Sequence, residues 1–393
     1  LKMVALGLVP DLTAKAARTA ASNAGAKVVK TFAYEISGME QQEIHDINPD
    51  LVLLCGGTDG GNKEVIIANA KRLVAIDRPF TTIVAGNKSA TDEIRTIFEE
   101  AGKDVVITEN VMPQFNKLNI EPARDAIRQL FISRIIEAKG LNILQAMTPY
   151  KIIPTPLAVL HACELLSKGT KTQQGRGDLL AVDIGGATTD VYSMASGEPT
   201  VDNTMLKGLP EPWMKRTVEG DLGMRYSLTH VYEQIPGADN SENEYMQQVK
   251  AWVELCTARP DTLAAPGSEE EKLEEFLGRS AVSMAVERHC GRIADVYTPL
   301  GLMHTQEGKD LMNVPSVIGI GGVLRNSRRP EEILKGSLYD FMHPECTKPR
   351  KPKFYLDQKY IFASMGLLRS INPELAFELL DKETVEIGCN ATV

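Results

Sequence analysis

Asp183 closes a short apolar strand, LLAV at 179–182, and opens the run DIGGATTD at 183–190. A strand continuous enough to be buried on both faces calls for a reason to end in an aspartate, two glycines and two threonines. Glycines let backbone amides approach an anion closely, because no side chain blocks the way. In a hairpin of this kind the amides from Gly185 through Gly186, Ala187 and Thr188 to Thr189, with the two threonine hydroxyls, could cradle the outer phosphates of a nucleotide. Asp183 could hold a magnesium ion, through water, since magnesium gives up its hydration shell reluctantly. The same residues would also suit a tight hairpin in an ordinary sheet, with threonine chosen for strand propensity.

Two further glycine turns follow apolar strands, CGGTDGGN at 55–62 and GIGGVLRN at 319–326. Gly56 and Gly61 have the first half of a P-loop spacing, but Asn62-Lys63-Glu64 stands where Gly-Lys-Ser/Thr is needed. Gly319 and Gly321 are followed at 324 by leucine, which breaks the dinucleotide fingerprint. Thr58 and Asp59 either touch a ligand or merely shape their turn.

The elements that must position these residues fall into two sets. Over 1–150, strand-like runs (KMVALGLV, AKVVKTFAY, LVLLCGG, TTIVAG, DVVITE) alternate with helix-like ones (TAKAARTAASNAG, NKEVIIANAKRLV, TDEIRTIFEEAG), the pattern of a parallel or mixed sheet covered by helices. A helix is expected over 123–140. Another is expected over 155–169, with Thr155 as cap, Pro156 in the first turn and Gly169 just past the end. DLLAVDIGG, TTDVYSMA and EPTVDNTM then read as a β-meander. The polar stretch at about 234–278 is predicted to form a helical insertion outside the central sheet, with Ser268 and Glu271 as a capping box. A long helix over 280–296, the strand of PSVIGIGG and a closing strand and helix in KFYLDQKYIFASMGLL complete the pattern.

With 393 residues, 43% of them hydrophobic and 24% charged, the chain can build two cores. No apolar run is long enough to cross a membrane. A net charge of −9 argues against a general nucleic-acid surface; Arg325, Arg328 and Arg329 form either a local basic patch or, more simply, a solvated loop. The six cysteines have no CxxC spacing and read as reduced, buried thiols of a cytoplasmic protein. His343 and Cys346 are spaced like metal ligands but lack a second pair.

DIGGATTDVYS resembles the second phosphate hairpin of the actin, sugar-kinase and heat-shock-chaperone ATPase superfamily, and VIGIGGVLRN resembles its adenosine motif. Nearly the whole chain, from LKMVALGLVPDLTA through LLCGGTDGGNKE, DIGGATTDVYS, GLPEPWMKRTVEGDLGMR and IGIGGVLRN, resembles the MutL/GlmL family of accessory proteins to adenosylcobalamin-dependent glutamate mutase and related aminomutases. The resemblance implies an α/β, two-lobed, actin-like (ribonuclease-H-like) fold. Residues 1–150 would form one lobe, rejoined by 358–393, and 151–357 the other. It implies ATP or ADP with Mg2+ as ligands, Gly185, Gly186, Thr188 and Thr189 on the phosphates, Asp183 on the metal, and Gly319, Gly321 and Gly322 at the adenosine end. Glu219, Gly220 and Asp221 would reach the ribose, the phosphates or a catalytic water, Asp221 serving equally well as a helix cap. Arg288 and Arg292, one turn apart on a helix, would flank the base, while Asp190 is as readily structural as functional.

The superfamily's first D-x-G hairpin has no counterpart in 1–150 and is expected to precede Leu1, so this stretch by itself would bind and hydrolyse nucleotide weakly. The implied activity is ATP-dependent release of damaged cobalamin from a partner mutase, with a homodimer left open. A small-molecule kinase and a nucleotide-sensing scaffold without turnover are the alternatives.

Overall fold

The computed structural model describes residues 2–23, 27–115, 117–138, 142–150, 152–208, 211–238, 243–299 and 301–388. Gly140, the Leu209-Pro210 part of GLPEPW, residues 239–242 of the polar stretch and Cys389 lie outside them. The chain divides into two compact units, Leu1–Pro154 with Gly208–Pro210 in the first and Thr155–Lys207 with Glu211–Val393 in the second.

The first unit alternates as expected: β1 Lys2–Gly7, α1 Lys15–Asn23, β2 Lys27–Ala33, α2 Gly38–Ile47, β3 Leu51–Leu54, α3 Glu64–Val74, β4 Thr81–Val84, α4 Thr91–Glu100, β5 Val105–Ile107, α5 Glu121–Ala138 and α6 Asn142–Ala146. All five strands run parallel in the order β2-β1-β3-β4-β5. Side chains alternate between two cores: Met3, Ala5, Leu51 and Leu53 face α1 and α5, whereas Val4, Leu6, Val52 and Leu54 face α2, α3 and α4. The sequence pattern does not anticipate α2; its start is set by a reciprocal Ser37–Glu40 capping box.

The second unit begins with α7 Thr155–Lys168, ended by Gly169 at φ 76°. There follow β6 Leu179–Ile184, β7 Thr189–Met194, β8 Thr204–Lys207, β9 Met214–Glu219, α8 Leu228–Glu233, α9 Glu244–Ala258, α10 Glu269–His289, β10 Arg292–Thr298, β11 Gly301–Glu307, β12 Ser316–Ile320, α11 Gly322–Asn326, α12 Pro330–Leu334, β13 Lys353–Asp357, α13 Phe362–Leu368, α14 Pro373–Glu383 and β14 Thr384–Glu386. The main sheet has the order β14-β13-β12-β6-β7-β9. Its β6, β7 and β9 are antiparallel neighbours, and β12 and β13 run parallel to β6. Counted from β6, that is the ribonuclease-H-like arrangement of a mixed α/β sheet flanked by helices.

Four expectations change. The third meander strand is β9, not EPTVDNTM: Pro199 and the Asp-Asn pair suit a turn, and β8 instead pairs parallel to β11 in a separate sheet, β10-β11-β8. The long helix is α10, ending at His289 rather than 296; Ile293, Val296, Tyr297 and Thr298 favour a strand, and β10 pairs with β11 across a hairpin. The polar stretch does not lie apart from the sheet, because α9 and α10 bury Met246, Val249, Trp252, Leu277, Val282 and Val286 in its main core.

The closing segment, expected to rejoin the first lobe, belongs to the second unit. There β14 pairs with β13, Arg369 donates to Glu164 of α7 at 2.6 Å, and Arg176 donates to Asp381 at 2.7 Å. Helix α13 also meets α7 so closely that a Cβ at Gly366 would lie 1.8 Å from the Ala158 carbonyl oxygen.

The five described cysteines are all buried and free. A fully buried lysine, Lys309, is satisfied by Ser193 Oγ and the carbonyls of Pro212 and Trp213 at 2.6–3.2 Å, and burial pushes its pKa down to about 7.

The α7–α13 contact leaves no room to relax. Gly366→Ala should therefore destabilise the chain by about 2–3 kcal/mol, read as an earlier midpoint in urea unfolding. Unchanged stability would show that the closing helix does not pack there.

Candidate functional site at the carboxyl edge of the second sheet

Because β6, β9, β12 and β13 run in one direction, their carboxyl ends finish at one edge of the sheet, together with the turn from β6 into β7. Asp183 pairs across the ladders with Asp190 on one side and Ile320 on the other. Glu219 ends β9 opposite Thr189, and Asp357 ends β13. Open α/β sheets place ligands at such carboxyl edges.

The turn is built differently from a fully open clamp. Gly185 N donates to Thr188 O at 2.9 Å and so is spent within the hairpin. Thr189 is buried and its hydroxyl donates to Leu222 O at 2.5 Å, which removes it from the expected phosphate set. Thr188 Oγ1 donates to Asp190 Oδ2 at 3.2 Å. The amides of Gly186, Ala187 and Thr188 have no acceptor among the described residues. The chain after β9 buttresses the turn from behind: Met224 N donates to Gly185 O at 3.0 Å, and Arg225 N and Tyr226 N both donate to Gly186 O at 2.8 Å. Gly223 lies against Ala187, where a Cβ would come within 2.3 Å of the backbone. The residues from Gly220 to Ser227 are thus a supporting turn, and the helix expected to start among them begins at Leu228.

Beneath the turn lies a buried ion pair that the sequence reading missed on its basic side. Arg216 of β9 donates through Nε at 2.9 Å and Nη2 at 2.5 Å to Asp190 Oδ1, with Arg216 3% and Asp190 6% exposed. Asp190 is therefore structural. Asp183 has no hydrogen-bond or ion-pair partner among the described residues. Burial, and then the neighbouring charges of Asp190 and Asp357, raise its pKa to about 7, with Arg216 only partly opposing them.

Glu219 and Asp221 are placed oppositely. Arg288 donates to Glu219 Oε2 at 2.7 Å, grips Asp221 with both terminal nitrogens at 2.8 and 2.9 Å, and reaches Gln234 Oε1 at 2.5 Å. Those bonds hold the Asp221 carboxyl below its usual range. Arg288 is consequently an anchor for the acids and not one of two arginines flanking a base; Arg292 has moved onto β10, where it pairs with Glu287 at 2.7 Å. Asp221 is no cap of α8, since Ser227 occupies that position.

On the other flank, Gly321 sits at φ 102° with room for no side chain: a Cβ would lie 2.4 Å from Ile184 O and 2.8 Å from Asp183 Oδ1. Gly322 is exposed at the start of α11. Gly319 does not line this edge, being buried inside β12 against Leu324 and Leu334.

Asp357 is a second residue that the sequence reading passed over. Its carboxylate accepts from Ile361 N at 2.9 Å and Phe362 N at 3.0 Å. Its signal was present, because FYLD repeats the apolar strand ending in aspartate already seen in LLAVD. No group of three or more His, Cys, Asp or Glu among the described residues stands close enough to hold a metal on protein ligands alone.

In the first unit, Asp59 accepts from Lys88 N at 3.1 Å and Asn110 Nδ2 at 2.9 Å, and Asn87 clasps Gly60, Gly61 and Asn62. Those contacts account for the glycine turn without a ligand. No described helix is long and apolar enough to cross a membrane.

The second unit is thus a mixed α/β protein of ribonuclease-H-like sheet order, with three open amides and an unpaired carboxylate at the sheet's carboxyl edge. The chain matches the MutL protein family over residues 1–384. It is 46% identical over 390 residues to Protein MutL of Clostridium tetanomorphum, covering 98% of this chain and 84% of that one. It belongs to the MutL family. Among solved structures it is similar to a nucleotide-free acetone carboxylase, described in work on ATP-dependent acetone carboxylation, at 13% identity and a TM-score of 0.30. That likeness covers 93% of this chain and 58% of the carboxylase chain.

Between about pH 4 and pH 7 the folded chain holds a proton on Asp183 that the unfolded chain has lost, so this residue makes stability fall as pH rises through that window. Asp183→Asn should abolish that slope, matching wild type near pH 4 and exceeding it at pH 8 in thermal melts. In contrast, Arg216→Met should cost about 3–5 kcal/mol, because it strands the buried Asp190 charge. A D183N protein less stable than wild type at pH 8 would contradict the electrostatic account.

Proposed function

We propose that the second unit binds a magnesium nucleotide and that the chain acts as an ATP-dependent reactivating accessory of an adenosylcobalamin-dependent aminomutase in the cytoplasm. One observation carries the nucleotide part: three open amides, of Gly186, Ala187 and Thr188, stand beside a buried carboxylate with no partner. The amides suit phosphate oxygens. Asp183 suits a cation that completes its shell with water and phosphate, since the described residues supply no protein cage. Magnesium, when bound, would neutralise phosphate charge. Gly321 lets the turn after β12 lie directly against Ile184 and Asp183, and Glu219, fixed through one oxygen by Arg288, is the acid available to orient an attacking water. Membership of the MutL family supports the mutase as partner. Reactivation then requires that nucleotide and mutase each prefer one conformation of this chain.

The test combines MgATP, free cobalamin, the chain and a glutamate mutase inactivated by damaged cobalamin. Recovery of mutase activity coupled to ATP use is expected. Asp183→Asn should weaken MgATP binding by roughly a hundredfold, the loss of one buried charge–cation contact worth about 3 kcal/mol. Phosphorylation of a small metabolite without recovery would replace this reading with a kinase, and binding without either would leave a scaffold. Proton release on MgATP binding at pH 6.5, absent in D183N, is a second expected outcome.

A further inference from the structure

Four non-glycine residues among those described hold a left-handed backbone: Tyr34 at φ 66°, Asn48 at 49°, Asn203 at 56° and Tyr360 at 57°. Asparagine tolerates this region, and Asn48 uses it to close α2. Tyrosine has no such relief, since its Cβ crowds the backbone there. Core packing does not offset the strain at Tyr360, whose side chain is 53% exposed. The surrounding backbone enforces it. Tyr360 N donates to Asp357 O at 3.2 Å while the Asp357 carboxylate collects the amides of Ile361 and Phe362, so the turn after β13 folds around Asp357 and projects the tyrosine. A strained, exposed side chain held by an over-determined turn is characteristic of ligand sites.

Its position agrees. Tyr360 stands three residues beyond the end of β13, on the edge that carries Asp183 and Gly321. Besides burial, the charges of Asp183 and Asp357 act on its hydroxyl and push its pKa up, opposed by Arg325. Arg325 lies on α11, is exposed, and forms no salt bridge among the described residues.

We propose that Tyr360 is a ligand-contacting residue whose ring closes the β13 side of the site and packs against the bound nucleotide, with Arg325 beside it. The proposal rests on the nucleotide reading above. It gives a reason for a bulky residue to stand where glycine or asparagine would be less strained.

The experiment measures MgADP affinity by calorimetry on the full chain for wild type, Tyr360→Gly, Tyr360→Asn and Tyr360→Phe. Gly and Asn accept the backbone, so both should melt at or above the wild-type temperature while binding MgADP roughly tenfold more weakly, the loss expected for one aromatic stacking contact. Phenylalanine should recover most of that affinity. Unchanged affinity in the Gly and Asn variants overturns the proposal, as does a Phe variant as weak as Gly, which would place the contact on the hydroxyl. A wild-type chain that binds no MgADP overturns the nucleotide reading itself, and is seen before any variant is compared.

Discussion

The Arg216–Asp190 pair is the interaction on which the carboxyl edge depends. Removing two charges from water is costly, and such pairs add little to stability compared with well-packed apolar side chains. What this one supplies is alignment. Arg216 on β9 meets Asp190 on β7 one position in from the turn, so a one-residue slip would send the guanidinium to the opposite face of the sheet. The turn, its buttress between Gly220 and Ser227, and the placing of Glu219 opposite Thr189 all follow from that register.

The pair also divides the acids of this edge into two kinds. Asp190 is neutralised by Arg216, and Glu219 and Asp221 by Arg288, whereas Asp183 receives the repulsion of two neighbouring carboxylates without a cation of its own. Environments that push like groups apart assign them different tasks. Here Asp190 and Asp221 are held in the scaffold by arginine, Glu219 is gripped through one oxygen only, and Asp183 alone has no cation of its own. A protein that gives up stability at such a point usually recovers it on binding.

Much of this was legible before any coordinates. The hairpin at 183–190 could be read because an apolar strand cannot end in that composition without a polar neighbour, and α7 because Thr155, Pro156 and Gly169 mark both its ends. The glycine turn after β12 was visible for the same reason, although Gly319 proved to be a packing residue, distinguishable from Gly321 only once Leu324 and Leu334 were in place. The roles of Arg216 and Arg288 were hidden, since each acts across more than 25 residues of chain and local spacing says nothing about such partners. The helix assumed at 280–296 failed where β-branched residues gather after Cys290, and the return of 358–393 to the first lobe failed because long-range packing of α13 on α7 leaves no periodic trace.

Gly321 brings the strand crossing of β12 to within contact of Ile184 and Asp183, with no volume left for even a methyl group. That part of the edge is closed to substitution in this chain. Change on this flank is open only to the exposed side chains beside it, Arg325 and Tyr360, which lie outside the strands.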